Sequence, residues 1–349
     1  MTSTLSRRRF VVAGTGAILA APAIIKSAGA QARTLYVNTW GGSWTAAEEA
    51  AFFKPFTEAT GIAVRTVAPV SFAKLKAQVR SRNYEFDLMS IGTGEWLRAE
   101  NEGLAEAIDW NAIDKSKLYP DATFANGFKY CTLGTNLVYR KDKFPNGGPK
   151  NWADFWDVKR FPGNRSLYID PVISLVFALS ADGVPRDKIY PMDVDRGFKK
   201  LTEIKPHIKV WWTQGTQSQQ LLRDGEVDLM AMWNARGSEL KNQGVPVEVV
   251  WEGADVHTVV WGVAKGAPNA KAAWQFVQFA SQAERQAEFA KRLYYGPTNP
   301  DAYKYLTPEI SRQLPSYPEN LAVAVPNDPN WQAANIAAIQ ERFTQWLAS

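Results

Sequence analysis

Glu226-Val227-Asp228-Leu229-Met230-Ala231-Met232-Trp233 repeats, late in the chain, the pattern of Glu85-Phe86-Asp87-Leu88-Met89. Each stretch follows a segment with helical character, Ser71 to Arg82 before the first and Thr216 to Arg223 before the second. Each ends in a loop, Gly92-Thr93-Gly94-Glu95 in one case and Asn234 in the other. The alternation extends toward the N-terminus. Thr34 to Asn38 reads as a strand running into Thr39-Trp40-Gly41-Gly42-Ser43-Trp44. A helix over about Thr45 to Thr60 carries Phe52, Phe53 and Phe56 at helical spacing and stops at Gly61, and Ile62 to Val67 is the next strand. Strands alternating with helices predict an α/β fold with a mostly parallel sheet, built as two similar halves. In such sheets ligands bind beyond the carboxyl ends of the strands. That rule sets Trp40, Gly41, Gly42, Ser43, Thr93, Gly94 and Glu95 opposite Trp233 and Asn234 across a cleft.

The N-terminus predicts where the protein works. Arg7-Arg8 lies just before Phe10 and an apolar run from Val11 to Ile25, which resembles a twin-arginine export signal. The run is broken by Gly14, Gly16 and Pro22 and falls short of the roughly 20 apolar residues a membrane span needs. Ala30-Gln31-Ala32 then offers a small-x-small cleavage site. Residues 1–32 are expected to be removed, leaving a mature chain from near Arg33 in the periplasm, monomeric and not inserted in a membrane.

Removal of the signal also removes the charge excess. The full chain has 40 Lys and Arg against 35 Asp and Glu, and the signal holds Arg7, Arg8, Arg9 and Lys26 with no acid. The mature chain is nearly neutral, which takes away the support for a nucleic-acid partner. Cys131 is the single cysteine, and His207 and His257 are the two histidines. No disulfide, His-rich metal site or CxxC cluster ligation is possible, and no cofactor is expected. No Ser/His/Asp arrangement is recognisable, so catalysis is not expected.

Several motifs occur together in order: Trp40-Gly41 after the first strand, Asn151-Trp152-Ala153-Asp154-Phe155-Trp156, Met232-Trp233-Asn234, Val250-Trp251 and Gly296-Pro297-Thr298-Asn299. In that order and spacing the chain resembles the extracellular solute-binding proteins of ABC transporters, of the spermidine/putrescine-binding type. The resemblance implies a type II periplasmic binding protein fold: two α/β lobes around a ligand cleft, joined by crossing hinge segments. It implies a first lobe of residues 33–136 plus about 263–305 and a second of 137–262 plus about 306–349, hinged near Asn136 and Gly262. It further implies a small-molecule ligand and a membrane permease as partners.

Trp40 and Trp233 match the ligand-contacting positions of that family, and an indole face suits an amine. Trp212, Trp261 and Tyr295 are further aromatic candidates. The polyamine binders hold separated ammonium groups with several acids. Asp170 aligns with one, but the other two expected positions fall in Val172-Ile173-Ser174-Leu175 and Val260-Trp261, which are apolar. Glu95 and Asp255 are the acids that could compensate, although surface roles are expected for both. Gln214 and Gln217, with Thr213 and Thr216, stand at a helix start where free N–H groups favour an anion, and Arg236 could grip a carboxylate. The alternatives are therefore a polyamine, an amino-acid-like zwitterion, an anion or aminophosphonate, and transport or ligand sensing as the use made of it. Tyr294-Tyr295 resembles the paired tyrosines of ferric-ion binders of the same fold, in a different segment.

Overall fold

The computed structural model describes residues 34–349 except 109, 111, 112 and 125. The export signal expected in residues 1–32 lies outside the described residues.

The chain begins as β1 (Thr34–Asn38), then α1 (Gly42–Glu48), a π-helical turn (Glu49–Phe53) and α2 (Lys54–Thr60). Gly61, left-handed at φ 71°, closes α2. Next come β2 (Ala63–Val67), α3 (Phe72–Ser81) capped by the Ser71 hydroxyl, β3 (Leu88–Gly92) and α4 (Thr93–Asn101). A short β4 (Thr123–Phe124) precedes the long β5 (Gly127–Arg140). The second half runs α5 (Trp152–Trp156), β6 (Arg165–Tyr168), α6 (Pro171–Ala181), α7 (Val194–Ile204), β7 (Ile208–Trp212), α8 (Gly215–Arg223), β8 (Leu229–Trp233) and α9 (Asn234–Asn242). β9 (Val247–Val263) leads back, followed by α10 (Ala270–Ala280), α11 (Ala283–Leu293), β10 (Gly296–Pro297), α12 (Pro308–Ser311), α13 (Pro318–Val323) and α14 (Pro329–Ala348).

The described strands form one mixed sheet in the order β2-β1-β3-β9-β5-β8-β6-β7. β1 pairs in parallel with β2 and β3, and β6 pairs in parallel with β7 and β8. β5 and β9 run antiparallel to each other through the middle, with β3 on one flank and β8 on the other. The two repeated stretches of sequence are thus β3 and β8, each the last parallel strand before the crossing pair.

Hydrophobic burial divides around those crossing strands. One cluster contains Phe52, Phe56, Leu88, Trp96, Phe128, Trp261 and Phe276, and another contains Leu137, Trp152, Phe177, Leu201, Leu229 and Phe343. On β5 the change of cluster comes between Leu133 and Leu137. On β9 it falls nearer Gly253 than Gly262, because Val259, Val260, Trp261 and Val263 all pack into the first cluster. There β9 carries extra residues, its partners stepping from Thr135↔Asp255 to Leu137↔Val250, a bulge of the kind that bends a strand. Among the described residues, no helix is long and apolar enough to cross a membrane.

Candidate functional site

β1, β3, β6 and β8 all end at one cleft of about 1270 Å³. Trp40, Gly41, Gly42, Ser43, Thr93, Gly94, Glu95, Asp170, Gln214, Trp233, Arg236 and Tyr295 all line it. Four expected residues do not. Trp212 and Trp261 are fully buried, Trp212 stacked on Tyr168 at 4.3 Å and donating its indole N–H to Ala231, Trp261 stacked on Tyr130 at 3.7 Å. Asn234 is buried too, accepting from the Gly134 N–H and donating to the Tyr294 carbonyl, so it fastens α9 to other elements. Gln217 turns its amide back to accept from the Thr213 N–H one turn earlier.

Two aromatic walls result. Trp44 holds one together, 6.0 Å from Trp40 and 4.9 Å from Tyr295. In the other, Trp233 sits edge-on to Tyr168 at 5.5 Å, backed by buried Trp212. Trp40 is 39% exposed in the cleft although large and apolar, the exposure expected of a ring awaiting a partner.

The charges segregate. The acidic region contains Glu95, Asp170 and Asp255. Burial, and next the charge of Asp170, push the Glu95 carboxyl up to about 7. Asp170 caps α6 by accepting from the Ile173 N–H at 2.9 Å; burial raises its pKa, while that bond and the charge of His257 oppose the rise. Asp255, 2% exposed, meets the His257 Nδ1 at 2.7 Å. Burial alone would lower the His257 pKa, yet the Asp255 bond and charge hold it above its usual value. His257 thus engages Asp255 through Nδ1, and Glu95 and Asp170 are the acids placed to meet a ligand cation.

Arg236, with Lys129 and Arg186 also on the cleft lining, supplies the opposite sign. Its Nη1 donates to Gln219 and Glu239, and its Nη2 donates to Ser43 Oγ at 2.7 Å, from α9 to α1. Its Nε is buried without a hydrogen-bond partner among the described residues. Nε and Nη2 share one edge of the guanidinium, the edge a carboxylate grips with two parallel bonds. Gly215, the first residue of α8, makes this possible, since a Cβ there would lie 2.8 Å from Arg236 Nε and 3.0 Å from the Trp233 ring. The α8 N-terminus and the guanidinium are thus stacked together, and both attract an anion.

His257, Tyr168 and Thr132 were missed as site residues from sequence, and Asp255, considered there but expected at the surface, is buried; each lines the cleft. Asp255 and His257 lie on β9, whose long-range pairing carries no local signal. Tyr294 and Tyr295 diverge: the Tyr294 hydroxyl accepts from Asn242 at 2.7 Å, whereas Tyr295 packs beside Trp44. Among the described residues no group of three or more His, Cys, Asp and Glu is gathered for a metal.

A family model described as bacterial extracellular solute-binding protein matches residues 51–320. The chain belongs to that family. It is 34% identical over 338 residues to a gamma-aminobutyric acid (GABA)-binding protein of Pseudomonas aeruginosa, covering 93% of this chain and 94% of the relative. A solved GABA receptor is 34% identical with a TM-score of 0.86, over 91% of this chain and 98% of that one. A spermidine/putrescine-binding periplasmic protein of Escherichia coli K12 is 23% identical over 318 residues, 87% of this chain and 90% of the relative. The type II, two-lobed fold expected from the sequence motifs is the fold of these solute-binding proteins, with β5 and β9 as crossing strands, and the chain is a solute-binding component that works with an ABC permease.

Proposed function

We propose that this protein captures a small zwitterion, an amino acid whose ammonium and carboxylate stand apart as in GABA, and delivers it to its permease from the periplasm after twin-arginine export. The observation that carries the reading is Arg236, whose Nε–H lacks a partner while its Nη2 donates to Ser43, in the same cleft as Glu95 and Asp170. A buried, unpartnered N–H costs about 1–3 kcal/mol, and a ligand carboxylate that accepts from it removes the cost. The ammonium end then takes Glu95 and Asp170 as counter-charges, with Trp40 and Trp233 as its indole faces. A polyamine fits less well, because Arg236 would face a second cation. The GABA-binding relatives support the same class of ligand.

Calorimetry with GABA and with putrescine tests this on three proteins. The parent should bind GABA more tightly than putrescine. Arg236→Gln should weaken GABA by at least about 30-fold, since truncating one partner of a buried charge pair costs about 2–5 kcal/mol, and should leave putrescine no weaker. Asp170→Asn should weaken both while keeping the α6 cap, because Asn caps a helix as well as Asp does. Tight putrescine binding by the parent, with Arg236→Gln indifferent to GABA, would show that the ligand is a diamine.

A further inference from the structure

We infer that Glu48, which does not line the cleft, is a positioning residue for the ligand-binding wall, setting the orientation of Trp40 and of the Gly41 N–H through two hydrogen-bonded chains. The inference rests on the reading that Trp40 faces the ligand. Glu48 is completely buried at the end of α1, where the helix passes into the π-helical turn of Glu49–Phe53. π-turns inside helices are frequently found at functional sites.

Both carboxyl oxygens are engaged. Thr39 donates to Oε2, and the Tyr130 hydroxyl donates to Oε1 at 2.8 Å. A tyrosine hydroxyl has one proton, so once Tyr130 has donated to Glu48 it can only accept. Ser90 Oγ, 2.8 Å away, must then be its donor, and Ser90 in turn accepts from the Trp40 indole N–H at 3.1 Å. Trp44 also donates to Tyr130, at 3.2 Å. On the other side, the Gly41 N–H donates to Thr45 Oγ1 at 3.0 Å, and Thr45 donates to Thr39 at 3.4 Å. With Glu48 ionised, every donor from the cleft wall inward therefore points toward its carboxylate. Linked hydrogen bonds polarise one another in a low-dielectric interior, so the terminal acceptor fixes the direction of both chains. Burial pushes the Glu48 carboxyl up to about 7 against the opposing bonds from Thr39, Tyr130 and Trp44. A buried acid maintained at that cost, bonded to a Tyr130 whose ring packs among Phe52, Trp261 and Phe289, contributes more than packing.

Glu48→Gln keeps the shape and replaces one acceptor oxygen by an N–H₂ donor, which must reverse one chain. The parent and this variant are grown with 5-fluorotryptophan, and the Trp40 fluorine resonance is assigned by its loss in Trp40→Phe. Without ligand, Glu48→Gln should shift the Trp40 resonance and leave those of Trp331 and Trp346 in place. Ser90→Ala, which cuts the same chain at its outer link, should shift it too and serves alone if Glu48→Gln does not fold. With GABA as probe, Glu48→Gln should raise Kd about tenfold, a change of about 1.4 kcal/mol. The same change should cost clearly less in a Trp40→Phe background, which has no indole N–H to orient. A Trp40 resonance unmoved by Glu48→Gln and Ser90→Ala, or fully additive binding costs, would overturn the inference. A parent that binds no GABA refutes the zwitterion reading and leaves the fluorine result to decide this one.

Discussion

Glu95 shows how a single carboxyl can serve a ligand that must also leave. Held up to about 7 by burial and by Asp170, it carries a proton through part of its population at neutral pH. A ligand ammonium favours the ionised form, so its arrival lowers the Glu95 pKa and expels a proton. The sign follows directly: at pH 6.5 binding should release protons, and the release should shrink toward pH 8, where Glu95 is already ionised. Calorimetry of GABA binding in two buffers of different ionisation enthalpy measures it. Glu95→Gln should abolish most of the release, and its affinity should vary less between pH 6 and 8. Proton uptake on binding would instead point to His257 as the group that responds.

At the scale of elements, close packing against glycine fixes the walls. Gly262 on β9 lies under buried Trp96 of α4, and a Cβ there would sit 2.0 Å from the indole ring. Trp96 is 0% exposed and has no room to turn away, so Gly262→Ala should destabilise by at least about 1–3 kcal/mol, the usual range for overpacking. Urea unfolding of the parent and the variant would read it, and equal midpoints would mean that α4 yields easily. Much of this level is legible in the sequence. β1, the helix beginning at Ser71, the Gly61 stop and the paired β3 and β8 are written in local periodicity and capping chemistry. The π-helical turn is not, because Glu49 to Phe53 has ordinary helical spacing. Trp212 and Trp261 illustrate a second limit. Alternation along a strand tells which residues share a face, but the stacking partners Tyr168 and Tyr130, which decide that these two indoles are core, come from other strands. The burial of Asp255 and its pairing with His257 were illegible for the same reason, since their place in the cleft depends on how β9 crosses beside β5.

For the molecule as a whole, the arrangement is that of two cores joined through a pair of strands that bends where β9 bulges. Small-ligand sites usually enclose about 300–1,000 Å³, and the cleft here is about 1270 Å³, too large to surround a γ-amino acid until its walls approach. Ser43 and Arg236 already reach across, α1 to α9, and α14 touches the start of α4 where Gln332 meets Gly94. A ligand carboxylate on the Arg236 edge and an ammonium between Glu95 and Asp170 add contacts available only when both walls are near, and such differential contact is what shifts a population between states. The chain should therefore bend near Asn136 and near Gly253, the residues where β5 and β9 lose register. Small-angle scattering with saturating GABA should give a smaller radius of gyration than without it. Arg236→Gln, at a GABA concentration raised until it too is saturated, should contract less, because its carboxylate clamp is missing. An unchanged radius in the parent would mean that the ligand enters a site already formed, with Arg236 serving affinity alone.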